Sequence, residues 1–332
     1  MRTAFTELAG IRVPVMQGGM SGVAGAPLVT AVSEAGGLGT LGSAVFAGDE
    51  RALAAEIDAV RSGTARPFAV NVPLFVPDMA WWLIERLAGL GVGIVETAGR
   101  SPAPFLDALH DAGMLVVHKA TRVRDVASGA RAGADAVCLL GAEAAGHPGP
   151  DQVSSLVQAR LAAGALGVPW LVGGGIADGA GLVAALALGA DGVLLGTRFA
   201  ATREASAHPA VKDRLVAAAA NDTLVVLGTV GDHARVLATD RAVRLSRAEA
   251  AGAAAAELHD LYGDHLFRAV VAGGDLEAGV LACGQAVGLV DDLPTVAELM
   301  DRMVSEARAA AARVATSVGE GSGEGEFPCC FG

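Results

Sequence analysis

The stretch VPWLVGGGIADGAGLVAALALGADGVLLGTRF, residues 168–199, places two short apolar runs, each closed by glycine, on either side of an Ala- and Leu-rich segment. Strands buried on both faces read as continuous apolar runs, and a strand–helix–strand order makes the two strands parallel neighbours. The same unit recurs towards the N-terminus. It appears as VPVMQG at 13–18, GLGTLG at 37–42, FAVNVP at 68–73, GVGIVETAG at 91–99, MLVVHKA at 114–120 and DAVCLLG at 135–141, which with 168–175 and 191–199 makes eight runs. Between them lie segments such as DERALAAEIDAVRSG and VRDVASGARAGA, whose apolar spacing and closing glycines suit amphipathic helices. Eight such units in roughly 200 residues predict a closed (β/α)8 TIM barrel rather than an open sheet.

Past Phe199 the rhythm stops. Residues 205–285, including RAEAAGAAAAELHDLYG, read as a smaller helix-rich lobe inserted after strand 8 and capping the active site. The segment PTVAELMDRMVSEARAAAAR, 294–313, reads as a helix returning to the barrel's outside, so the barrel is expected over 1–204 and 286–316. The Gly-, Glu- and Ser-rich tail 317–332 reads as disordered, and nothing in the pattern accounts for its apolar end FPCCFG.

Composition excludes several function classes. Mean hydropathy is +0.48, yet the apolar residues are largely Ala and Val, interrupted everywhere, and no run reaches the roughly 18 residues of a spanning helix. Net charge is −12 with no basic cluster, which argues against nucleic acid as a partner. The start MRTAFTELAGIRVPVMQ lacks the pattern of an export signal, and the four cysteines, Cys138, Cys283, Cys329 and Cys330, lack metal-ligand spacing; a reducing, cytoplasmic setting is expected. No HExxH, nucleophile elbow, Walker loop or CxxC is present, so no metal site is expected.

In TIM barrels the active site lies at the carboxyl ends of the strands, with phosphate commonly held by the loops after strands 7 and 8. Those loops here are Gly173-Gly174-Gly175-Ile176-Ala177-Asp178 and Gly196-Thr197-Arg198-Phe199. Missing Cβ atoms let backbone N–H groups approach an anion, and the second loop adds a hydroxyl and a guanidinium. The plainer alternative is two tight βα turns.

His147 lies in EAAGHPGP just past run 6, where an imidazole could act as a general base or hydrogen-bond a substrate anion; the bland alternative is a surface-loop histidine. Lys119, in a chain whose other lysine is Lys212, ends run 5 and could reach a ring carbonyl or a phosphate. Asn71 is an amide inside an apolar strand and needs a hydrogen-bond partner there. After run 1, Gly18 and Gly19 permit close approach of a planar ring, and Met20 could pack on it or belong to the core. His208 and His233 fall near the join of barrel and lobe, while His110, His259 and His265 sit in helical, mixed-charge surroundings.

These residues together resemble the nitronate monooxygenase family, formerly 2-nitropropane dioxygenases, from about residue 11 to 310. The resemblance is carried by VPVMQGGM, the Asn of FAVNVP, VVHKATRVRDV, EAAGHPG, GGGIADGAGLVAALALGADGVLLGTRF and the late GQAVGL. It implies FMN bound by Gly18, Gly19, Met20, Asn71, Lys119, Gly174, Gly175, Gly196 and Thr197, with Gln285 near the ring and His147 as the catalytic histidine. The implied reaction oxidises an alkyl nitronate or nitroalkane with O2 to a carbonyl compound and nitrite. Two departures stand out: many members have Gln where this chain has Leu140, and a second Gly where it has Ala145. The resemblance extends to NAD(P)H-dependent FMN reductases of enoyl thioesters or quinones and to flavoenzymes of steroid degradation; a flavin-free phosphate-binding lyase or isomerase using Lys119 is a further alternative. The expected partners are a small-molecule substrate, with O2 or NAD(P)H as co-substrate, and no membrane; a homodimer remains open.

Overall fold

The computed structural model describes residues 1–263 and 266–319. Eight parallel strands form one sheet: β1 (Val15–Gln17), β2 (Gly39–Leu41), β3 (Phe68–Pro73), β4 (Ile94–Ala98), β5 (Leu115–Ala120), β6 (Ala136–Leu140), β7 (Trp170–Gly173) and β8 (Gly192–Leu195). Each falls within one of the eight apolar runs. The order β1-β8-β7-β6-β5-β4-β3-β2 places β1 and β2 at the seam. There Leu38 donates to Val15 O and Gln17 N donates to Leu38 O, both at 2.9 Å. The Gln17 amide completes the closure beyond the last backbone pair, accepting from Thr40 N at 3.0 Å and donating to Thr40 O at 3.1 Å. The chain is thus a (β/α)8 barrel.

Alternation along the strands separates two cores. Met16, Leu38, Ala69, Ile94, Val117, Ala136, Cys138, Leu171 and Leu194 pack inside the barrel, with Phe5 and Ala9 of the N-terminal helix Ala4–Ala9 joining them. Val15, Val70, Val95, Val116, Val137, Val172 and Val193 pack outwards against the helices. On that outer side a Cβ on Gly179 would collide with the backbone of Met303. Its absence lets helix Gly179–Ala187 lie directly against the C-terminal helix Val296–Gly319. The latter helix was expected at 294–313 and continues through 317–319, the first residues assigned to the tail. The rest of that tail, with FPCCFG, Cys329 and Cys330, lies outside the described residues, as does His265.

Residues 205–285 hold helices Pro209–Val216, Asp240–Ala250, Ala255–Tyr262 and Phe267–Val271 and also an antiparallel hairpin, β9 (Thr223–Val226) with β10 (Ala234–Leu237). The helix-rich reading of this region did not single out the hairpin, because four-residue apolar runs are equally compatible with buried helix. Val226, Leu227, Ala234, Val236, Leu245, Leu258 and Tyr262 form a separate small core here. Among the described residues, no helix is long and apolar enough to cross a membrane.

Candidate active site

At the carboxyl ends of β1, β3, β4 and β5 the barrel interior turns polar. Asn71 on β3 is in register with Glu96 on β4, and Ala98 with Lys119 on β5. Glu96 is completely buried. Its Oε1 accepts from Lys119 Nζ at 2.9 Å, and its Oε2 accepts from Asn71 Nδ2 at 2.8 Å and from Gly19 N at 3.1 Å. A buried carboxylate without partners costs several kcal/mol, and this one has an ammonium and two N–H donors. Only glycine fits at position 19, where a Cβ would lie 2.8 Å from Asn71 Cγ and 2.9 Å from Glu96 Oε2. The Lys119 side chain stays 15% exposed, so the ammonium reaches the mouth while its partner carboxylate does not. Glu96 did not figure among the sequence candidates. Its signal was present: one acid inside the apolar run GVGIVETAG.

Across the mouth, Gly174 and Gly175 follow β7 with φ of 101° and 74°, a left-handed backbone that strains other residues. The N–H groups of Gly174, Gly175 and Gly196 have no protein acceptor among the described residues. Thr197 Oγ1 accepts from Gly284 N at 3.0 Å, and the neighbouring Gln285 N donates to Glu143 O at 2.9 Å. Gly284 is needed there because a Cβ would lie 2.7 Å from that same carbonyl. The loop after β1 closes the ring of contacts: Gly18 N donates to Leu195 O at 3.1 Å, and Met20 Sδ would lie 3.7 Å from a Cβ on Gly196. Ten residues singled out from the sequence, Gly18, Gly19, Met20, Asn71, Lys119, Gly174, Gly175, Gly196, Thr197 and Gln285, therefore sit on one rim.

His147 lies on the loop after β6, with a side chain 42% exposed. Its Nε2 is 3.0 Å from Asp232 Oδ1 in the turn of the β9–β10 hairpin, and its ring centroid is 5.9 Å from that of Phe75. Phe75, which follows β3, is 52% exposed. The hairpin grips the loop beside His147, since Gly146 and Arg235 exchange backbone hydrogen bonds. The Arg235 guanidinium also donates to Ala142 O at 2.8 Å and Thr223 Oγ1 at 3.0 Å. Neither Asp232 nor Phe75 was singled out from the sequence, since their relation to His147 exists only in the fold.

Three titratable neighbours do other work. Helix Thr197–Ala200 turns the Arg198 side chain inwards to Asp292 Oδ1 at 3.2 Å and to the carbonyls of Ala201 and Asp292 at 2.8 Å. The guanidinium expected at the phosphate loop is therefore not available to an anion. His118 points outwards from β5, its Nδ1 3.0 Å from Thr97 Oγ1, and burial, helped by the Lys119 charge, lowers its pKa to about 4. Cys138 lies in the inner core, where burial raises its thiol and keeps it neutral. Among the lobe histidines, His208 Nδ1 accepts from Ala210 N at 3.2 Å and so caps a helix.

Comparison with known proteins follows the same outline. The family model for nitronate monooxygenase matches residues 2–85 and 82–306. The chain is 35% identical to the (3aS,4S,5R,7aS)-5-hydroxy-7a-methyl-1-oxo-octahydro-1H-indene-4-carboxyl-CoA dehydrogenase of Mycobacterium tuberculosis, over 92% of this chain and 96% of that one. It is 28% identical to a probable nitronate monooxygenase of Staphylococcus aureus, over 70% of this chain and 78% of that one. The solved structure of FabK from Thermotoga maritima superposes with a TM-score of 0.90 at 34% identity, covering 96% of this chain and 99% of that one. Family model, sequence identity and barrel agree: the chain belongs to the nitronate monooxygenase family of TIM-barrel oxidoreductases.

Proposed function

We propose that the chain binds FMN at this rim and catalyses a two-electron oxidation or reduction of a coenzyme A thioester of a bulky ring acid. The observation that carries the cofactor is the pair of glycine loops after β7 and β8, whose N–H groups at Gly174, Gly175 and Gly196 lack protein acceptors among the described residues and whose left-handed backbone at 174 and 175 strains any residue with a side chain. That is the donor set a phosphate monoester requires. Lys119, Asn71 and the close-packed Gly18-Gly19 backbone suit the polar edge and flat face of the ring system. Bound FMN would supply the electron chemistry, and the protein supplies position and proton transfer.

A carboxylate can only accept, so Asp232 fixes the proton of His147 on Nε2 and leaves Nδ1 as the basic nitrogen. A base above the rim serves any substrate whose C–H is acidified by a neighbouring group, and both a thioester carbonyl and a nitro group do this. The choice of thioester rests on the match to the CoA dehydrogenase over nearly the whole of both chains, and on exposed Phe75 as an apolar surface beside His147. The second reading is oxidation of alkyl nitronates by O2, favoured by the family model and the Staphylococcus aureus relative. Leu140 and Ala145, which depart from the pattern of many nitronate enzymes, weigh against it.

Anaerobic absorbance of the flavin-loaded protein separates these readings. Bleaching by a hydroxy-indane carboxyl-CoA thioester supports the first; bleaching by an alkyl nitronate, with none by the thioester, replaces it with the second. Rapid bleaching by NADH or NADPH alone makes the chain a nicotinamide-dependent reductase.

A further inference from the structure

Glu96 is the one fully buried carboxylate among the described residues, and it lies beneath Lys119, on the inner side of the rim where the proposed cofactor ring would sit. Four strand ends meet on it: Gly19 after β1, Asn71 on β3, Glu96 itself on β4 and Lys119 on β5. Lys119 is the cation that Glu96 holds, and its charge is cancelled from below at 2.9 Å. The Cys138 thiol beside the pair stays neutral, so Glu96 and Lys119 face no third charge from β6.

We propose that Glu96 is a positioning residue that aims Lys119 at the flavin and, by cancelling its charge, sets how readily the bound flavin accepts electrons. This rests on the FMN reading above. The ammonium has three donors and spends one on Glu96, leaving donors for the ring. A positive charge beside a flavin favours the electron-rich reduced ring. In a poorly solvated site, one uncompensated charge a few ångströms away is enough to change the reduced-to-oxidised ratio by roughly tenfold or more. Glu96 therefore holds electron affinity below the level Lys119 alone would impose. It also ties Asn71 and the Gly18-Gly19 loop into the same geometry, so binding and electron affinity depend on one group.

The test uses the holoprotein and two readouts besides turnover: the reduction potential of bound FMN, measured against a reference dye, and the dissociation constant for FMN. Glu96→Gln retains an oxygen to accept from Asn71 and Gly19 but removes the charge. It should shift the potential upwards, changing the reduced-to-oxidised ratio at fixed dye poise by roughly tenfold or more. Lys119→Met, which leaves the carboxylate unpaired, should shift it downwards and weaken FMN binding. The double variant should return towards the wild-type potential. An unchanged potential in Glu96→Gln, or a double variant no closer to wild type than either single one, overturns the inference. Should Glu96→Gln fail to fold, Lys119→Met carries the test, and a potential equal to wild type overturns it. Wild-type protein that takes up no FMN instead sinks the cofactor reading itself.

Discussion

His147 Nε2 and Asp232 Oδ1 lie 3.0 Å apart, joining the loop after the sixth barrel strand to the turn of the lobe's hairpin. The lobe thereby supplies the group that fixes the imidazole, held in register by the Gly146–Arg235 backbone bridge. Asp232→Ala should lower kcat by roughly ten- to a hundredfold, less than loss of the base itself. FMN affinity should stay within about twofold, because Asp232 is not on the rim. Steady-state kinetics beside a flavin titration checks this, and an unchanged kcat would remove Asp232 from proton transfer.

Gly174 combines a φ of 101° with little room, since a Cβ would lie 3.2 Å from Ala144 N. Forcing a side chain into that backbone costs about 1–3 kcal/mol. Gly174→Ala is expected to weaken FMN binding at least tenfold. Gly189→Ala, at a φ of 102° between helix Gly179–Ala187 and β8, is the control: it should lower Tm by a similar strain and leave FMN affinity intact.

Phe75 and His147 stand 5.9 Å apart by ring centroid, with Phe75 half in solvent. If Phe75 forms the substrate wall, Phe75→Ala should raise KM for the thioester by roughly tenfold through lost apolar burial, with kcat falling much less. Equal losses in kcat and kcat/KM would place Phe75 with the base rather than the binding surface.

His118 gives the fold a specific acid sensitivity. Its pKa is about 4 in the folded state against 6.5 in the unfolded chain, because burial disfavours the imidazolium. Between these values the unfolded chain binds a proton that the native state does not, so stability falls as pH drops from about 6.5 to about 4 and falls no further below that through this group. The ceiling is about 3 kcal/mol. His118→Gln should flatten the slope of unfolding free energy in that window, measured by urea denaturation across pH.

The barrel was legible because parallel strands buried on both faces, such as 135–141 and 168–175, must be written as unbroken apolar runs between helices. The rim glycines were legible for a related reason: close backbone approach leaves glycine as the residue that fits, and the register of 174, 175 and 196 follows from strand position. Glu96 was not, since an acid in an apolar run has no visible partner until β5 brings Lys119 beside it. Asp232 is separated from His147 by the last two barrel strands with their helices and by the first part of the lobe, and no local pattern encodes that pairing. Arg198 was misread because a single helical turn after β8 decides which way its side chain faces.

The loops after β7 and β8, with Lys119 opposite, are proposed to form an FMN site. Deflavinated protein titrated with FMN, followed by quenching of flavin fluorescence, tests it most directly. One FMN bound per chain, with affinity reduced at least tenfold in Gly174→Ala and unchanged in Gly189→Ala, is the predicted result. A colourless protein that takes up no FMN under any loading condition would contradict an FMN site at this rim.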